Sequence, residues 1–448
     1  MQVCVGRAPA PCVTASKDLK RVVLEFQLRL TDMTCALDSG VPISRRVDVE
    51  IGIRNRRAMP QVPGAEWRPA PKKHASASLG SPGDSKGHER QSMDLDQDQS
   101  SGVVLLHSFP AHKASINIAR WNTLGKYILT ASSDRSINLW NASSGPPSIK
   151  SYSSHSQDIH ALDIAPDNAT FASGGEDKAV LLWDVATANI IRRFSQHVGR
   201  INDVRFAGST GGDASHAASS VTTGSSVLFA AGFDTIVRVY DLRAAGNWRP
   251  IMEMREAKDS ITSVVIGKSI IFTGCADGIV RSYDLRKGEL REDVFNKPIV
   301  SLSANRNRSL LLVSTLDSTH RVLDLSDGTV LQTLRGHRNT TYRCHSTFTA
   351  DEGGVLSGDE TGLLWKWDIL SGEGAPVKPD KILSTRTSYG DRKNAAALRD
   401  QNALKIAGDV AHSRAVLWTE LNPAQTSHTC LTAGADGVLK IWDVSTQQ

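Results

Sequence analysis

From residue 103 onward, apolar residues come in short runs that alternate with polar ones at period two, and turn residues cut the runs every few positions. Val180 and Leu182 point to one side and Leu181 and Trp183 to the other, and all four are apolar. That pattern predicts short antiparallel strands covered on both faces. The pattern itself recurs at roughly 40-residue intervals, and such a period fixes an architecture before any single element does. Each unit holds an apolar run, small residues, an Asp, and an alternating strand that ends in an aromatic residue followed by Asp.

The first three copies are ILTASSDRSINLWN with Asp134 and Trp140, FASGGEDKAVLLWD with Asp177 and Trp183, and LFAAGFDTIVRVYD with Asp234 and Tyr240. In each, the Asp precedes the aromatic by six positions. IFTGCADGIVRSYD carries Asp277 and Tyr283, and LLVSTLDSTHRVLD carries Asp317 but Leu323 at the aromatic position. VLSGDETGLLWKWD ends at Trp367 with Thr361 where Asp is expected, and LTAGADGVLKIWD restores Asp436 and Trp442. A His stands at a near-constant interval before several units: His112, His155, His197, His337 and His412.

These features resemble the GH and WD dipeptides of WD-repeat blades. The resemblance implies an all-β fold, a seven-bladed β-propeller of four-stranded blades. It also implies that each Asp lies in the turn between the second and third strands and joins a His, a Ser or Thr and the Trp in a buried hydrogen-bond network. These conspicuous residues are therefore read as scaffold rather than as metal ligands or acid–base groups. Val103 to Phe109 precedes the first His-initiated unit, while the chain ends just after the third strand of the seventh. That segment is expected to be the seventh blade's outer strand, closing the ring and removing an exposed edge.

The propeller is thus expected over residues 103–444, with insertions at 208–226 and 374–411. Residues 1–102 form an extension. Residues 61–101 are rich in Pro, Ser, Gly, His, Asp and Gln, which predicts a disordered linker. Upstream, VVLEFQLRL and VDVEIGI alternate like two strands, although a lone hairpin is marginal in water. Met93 opens an acidic stretch leading into the closing strand, so translation starting there is one reading and the residues before it a gene-model artefact. Gly208 to Ser226 reads as a disordered loop between the first two strands of the third unit. In the second insertion DRKNAAALRDQNALKIA has the composition of a helix.

Composition narrows the function classes. Hydrophobic residues make up 40% and charged residues 22% of the 448, and no stretch approaches the ~18 consecutive apolar residues of a spanning helix. The formal charge of +5 is small, and ten Lys/Arg against six Asp/Glu in the first 60 residues carry most of it. Direct nucleic-acid binding through bulk charge is not expected. Cys4, Cys12, Cys35, Cys275, Cys344 and Cys430 form no C-x-x-C pair, and no secretory signal opens the chain, which points to a reducing compartment. The sequence has no P-loop, no H-E-x-x-H, no G-x-S-x-G elbow and no kinase signature set, so neither catalysis nor a cofactor or metal is expected.

Binding remains. In WD-repeat proteins partners often use the face formed by the Asp-bearing turns. By that resemblance Arg135, Lys178, Arg200, Asp259, Tyr342 and Arg343 are the partner-binding candidates. SGGEDKAVLLWDVATANIIRRF, ADGIVRSYDLRKGEL and STLDSTHRVLDLSDGTVLQTLRGHRNTTYR are similar to the mitogen-activated protein kinase organizer family. That family shares the fifth blade without its aromatic. The resemblance implies a scaffold for the MAP kinase cascade that also serves the spliceosome, in nucleus and cytoplasm, as a monomer within larger complexes and away from membranes. Separately, Leu228 to Arg243 matches the box of WD-repeat substrate receptors of cullin-RING ubiquitin ligases. There Asp241 and Arg243 are the candidates for docking a ligase adaptor, and the guanidinium fork would do what Lys could not.

Overall fold

The computed structural model describes residues 103–207, 226–244, 249–267, 269–377, 411–424 and 428–444, and the backbone of 52–58. Six antiparallel four-stranded sheets, and a seventh in the fourth blade that gains one further parallel strand, form the described fold, a seven-bladed β-propeller. The second blade shows the plan: Ile159–Ile164, Thr170–Gly175, Val180–Asp184 and Ile190–Phe194 pair in sequence from the central axis outward. Inner strands are almost wholly buried, and Phe171 and Trp183 stack with ring centroids 5.7 Å apart inside the blade. Aromatic contacts of this kind add about 1 kcal/mol to the burial of their area.

The ring closes between the two ends of the propeller. Val104–Pro110 pairs antiparallel with Val438–Asp443, placing Val104 opposite Asp443 and Pro110 opposite Val438. A strand from the N-terminal side thereby becomes the outer strand of the seventh blade and covers the edge that Val438–Asp443 would otherwise expose.

Polar side chains stitch neighbouring inner strands together. Asn117 donates to the carbonyl of Ile159 at 2.8 Å, Asn202 to that of Ile261 at 2.7 Å, and Thr262 to that of Ile299 at 2.7 Å. Asp163 accepts from the Phe206 amide and Asp203 from the Val264 amide, at 2.7 and 2.8 Å. Inner strands of different blades form no common sheet, so these bonds satisfy polar groups that blade packing would otherwise bury unmet.

The insertions differ from expectation at their edges. Gly374–Pro376 is the outer strand of the sixth blade, so the second insertion begins after Val377. The expected helix, the strand VVLEFQLRL, the linker 61–101 and most of Gly208 to Ser226 lie outside the described residues. Of VDVEIGI, Gly52 and Ile53 open a strand, Gly52–Ala58, that runs parallel to the outer strand Glu289–Val294 of the fourth blade. Between the fourth and fifth blades lies a cavity of about 510 Å³, lined by Phe272, Leu290, Leu311 and Leu323 with Lys287, Arg291 and Asp324 also in its wall. It lies where the fifth blade carries Leu323 in place of an aromatic residue.

Candidate docking faces

The turn that carries the Asp is built in two ways. In the first blade, Asp134 Oδ2 accepts from His112 Nδ1 at 2.9 Å, and Thr130 Oγ1 lies 2.7 Å from His112 Nε2 while accepting from Trp140 Nε1 at 2.9 Å. The carboxylate lies below its ordinary range: burial works to raise it, but hydrogen bonds from Ser136 and the nearby His112 outweigh that. An ionised acceptor places the histidine proton on Nδ1, leaving Nε2 to accept from the hydroxyl. The second blade repeats the arrangement with Asp177, His155, Ser173 and Trp183, and the seventh with Asp436, His412, Thr432 and Trp442. Blades seven, one and two are contiguous across the closure.

Blades three to five solve the turn with arginine. Asp234, Asp277 and Asp317 each pair with an Arg four residues on, Arg238, Arg281 and Arg321, at 2.5, 2.7 and 3.4 Å. Among the described residues, only Asp234 of these three retains a His contact, from His197 at 2.9 Å. Arg281 is fully buried and also donates to Glu292 at 3.2 Å.

Blade six corrects the sequence reading twice. The carboxylate missing at Thr361 is supplied by Asp359, which accepts from the amides of Thr361 and Leu363 and from Trp365 Nε1. His337 does not enter a His–Asp network. It stacks on His320 at 4.1 Å, both rings meet Trp367 edge-on, and Trp367 Nε1 donates to the Arg335 carbonyl instead. The Asp359 role was readable as a two-residue displacement of the turn acid; the histidine stack has no signal in the spacing.

In all seven turns, the residue after the Asp position has a left-handed backbone: Arg135, Lys178, Thr235, Gly278, Ser318, Gly362 and Gly437, with φ between 58° and 89°. A non-glycine residue there costs about 1 kcal/mol. The turns and the loops entering the inner strands form one face of the propeller. Arg135, Lys178, Arg200 and Asp259 are exposed on it, with Tyr342. Five of the six partner-binding candidates are therefore displayed together.

Arg343 is different. It reaches across the mouth of the central channel and donates to the carbonyls of Asn202 at 2.8 Å and Val300 at 3.3 Å, joining blade six to blades three and five. Burial lowers its pKa, with Asp203 working the other way. Around it, Arg120 bonds Glu420 at 2.6 Å, and His345 stacks on Trp418 at 3.9 Å. Arg343 is a strut of the channel rather than an exposed contact residue, because its loop turns inward at Cys344, which is buried.

Two apolar side chains missed in the sequence share the exposed face. Val198 is 73% and Phe233 59% accessible, on adjoining loops of blade three. A line-up of the repeats carries the signal for Phe233: the residue before the turn Asp is Ser133 in blade one, Glu176 in blade two and Ala276 in blade four. On the opposite face, Arg243 is partly exposed but its fork is engaged, Nε and Nη2 donating to the two oxygens of Asp241 at 3.1 Å each. Among the described residues there is no group of three or more His, Cys, Asp or Glu able to hold a metal, and no helix long and apolar enough to cross a membrane.

Comparison with known proteins agrees with this architecture. The WD domain, G-beta repeat family matches residues 103–141 and 146–184. Human WD repeat domain-containing protein 83 is 33% identical over 276 residues, spanning 61% of this chain and 82% of the relative. The Dictyostelium discoideum homolog of that protein is 27% identical over 363 residues, 75% of this chain and 96% of the relative. Human pre-mRNA-processing factor 17 is similar at 21% identity over 344 residues, covering 75% of this chain and 44% of that protein.

Proposed function

The chain belongs to the WD repeat domain-containing protein 83 family, and from that premise we propose that it is a non-catalytic scaffold that assists pre-mRNA splicing assemblies and organises components of the MAP kinase cascade, in nucleus and cytoplasm. The observation that carries the splicing reading is the similarity to pre-mRNA-processing factor 17 over three quarters of this chain. The MAP kinase reading rests on the family resemblance carried by the second, fourth and fifth blades.

The architecture supports a mechanism of multivalent docking. Short strands locked by blade-internal networks hold two loop-bearing faces in fixed relation, and binding residues concentrate on such loops. A partner on each face sees the other at an effective concentration of about millimolar without any chemical step. Substrate reception for a cullin-RING ligase through Arg243 is less well supported, because docking would compete with the two bonds to Asp241.

The test is affinity purification of the tagged full-length chain from its native cells, with quantitative mass spectrometry of nuclear and cytosolic extracts. Enrichment of splicing proteins is the expected result. Kinases or a ligase adaptor recovered without any splicing protein would overturn the splicing role.

A further inference from the structure

Arg135, Lys178 and Arg200 stand on successive blades of the turn face, all exposed, and none forms an ion pair among the described residues. Arg135 and Lys178 hold left-handed backbones with φ of 68° and 62°, at the position where blades four, six and seven carry Gly278, Gly362 and Gly437. A basic residue there keeps a strained backbone that, among the described residues, no side-chain hydrogen bond or ion pair of its own offsets. Strain persisting where glycine would relieve it is characteristic of positions held for binding.

Beside this arc lie the exposed Val198 and Phe233. Gly199 brings their loops together: a Cβ at 199 would fall 2.9 Å from the Cβ of Phe233. Of the carboxylates nearby, Asp134 and Asp177 are turned inward onto His112 and His155 and Asp158 is half-buried, while Glu176, 3.5 Å from His160, keeps a side chain 43% accessible.

We propose that the arc of blades one to three is a docking site for an acidic segment of a partner protein that carries one bulky apolar side chain. The inference rests on the scaffold reading and names the chemistry of one partner. The basic residues would meet the acidic side chains, and Val198 with Phe233 would cover the apolar one. Single-stranded nucleic acid is disfavoured, because it calls for a series of aromatic platforms along a cationic groove. The arc offers one exposed aromatic, Phe233, beside an aliphatic neighbour.

The experiment is fluorescence anisotropy on the full-length chain with a labelled peptide of Asp and Glu around a central Leu. The same peptide with Ser for Leu and an oligouridylate serve as comparisons. The Leu peptide is expected to bind and to weaken with added salt. The double variant Arg135→Gly/Lys178→Gly, whose turns keep the conformation glycine prefers, should bind about tenfold more weakly with no fall in melting temperature. Phe233→Ser should reduce the Leu peptide to the level of the Ser peptide.

Equal binding by the double variant, or no binding by wild type, would overturn the proposal. So would an oligouridylate that binds more tightly through the same residues, which would make the arc a nucleic-acid site. Splicing proteins recovered equally with wild type and double variant, in the absence of peptide binding, would remove the arc and leave the scaffold reading standing.

Discussion

Arg281 donates from Nη2 to Asp277 at 2.7 Å, from the strand that follows the turn back to the turn itself. In blades one, two and seven the turn Asp instead meets a His from the preceding loop. The two solutions share a purpose: an ionised carboxylate satisfies turn amides, and a donor keeps it in place. They differ in wiring. The His version ties the entry loop to the Trp strand through a hydroxyl, whereas the Arg version ties the turn to the outer strand through Glu292.

Removing that cation should be severe. Arg281→Met strips a buried guanidinium from both Asp277 and Glu292. Breaking a buried pair from one side costs about 3 to 5 kcal/mol. Denaturant unfolding should show a loss of at least the lower figure, and a loss below about 1 kcal/mol would mean the Arg–Asp pair does not hold the turn.

The turn glycines should behave oppositely to the turn cations. Gly278→Ala forces a Cβ to within 2.8 Å of the Lys297 amide at a φ of +80° and should destabilise by about 1 kcal/mol or more. Arg135→Gly relieves a left-handed residue and should leave the melting temperature unchanged or raised. Thermal unfolding of the two variants reads both signs.

Acid should loosen the fold through its buried histidines first. Burial pushes His337 down to about 4 and His345 to about 3, the latter helped by Arg120. Both are neutral in the folded chain, while an unfolded histidine takes its proton near 6.5. Stability therefore falls as pH drops below 6.5, and for His337 the fall continues to about 4, amounting to about 3 kcal/mol at about 1.4 per pH unit. At lower pH the turn acids join. Burial would raise Asp436, but His412 holds it at about 2, so its contribution fades between about 4 and 2. His337→Phe should flatten the stability profile between pH 6 and 4 by about one proton; an unchanged slope would mean that His337 is not neutral in the folded chain.

Arg243→Ala should change stability by less than about 0.5 kcal/mol, since among the described residues its partly exposed guanidinium bonds only Asp241, two residues away. Recovery of splicing proteins should be unaltered. Selective loss of a ubiquitin-ligase adaptor from the purified complex would instead establish the ligase reading.

Much of the architecture was legible because the Asp-to-aromatic interval is a local quantity, fixed by one turn and one strand. Even Val103 to Phe109 was readable as the closing strand, since the seventh unit otherwise lacks a fourth. Part of what escaped depended on distances between blades. The inward reach of Arg343 depends on where blades three and five meet the channel mouth, and the His320–His337 stack joins two blades. Asp359 escaped because the turn acid had shifted while its neighbours kept their places. Exposure of Val198 had no counterpart in apolar patterning, which reads any such residue as core, and that of Phe233 showed only when the turn positions of the repeats were lined up.

The central claim is that the propeller joins partners, and the most direct measurement is the yield of a two-partner complex as the full-length chain is titrated into a fixed amount of two proteins recovered with it. A scaffold predicts a bell-shaped response, rising and then falling as excess chain holds each partner separately. A curve that rises and saturates would contradict bridging.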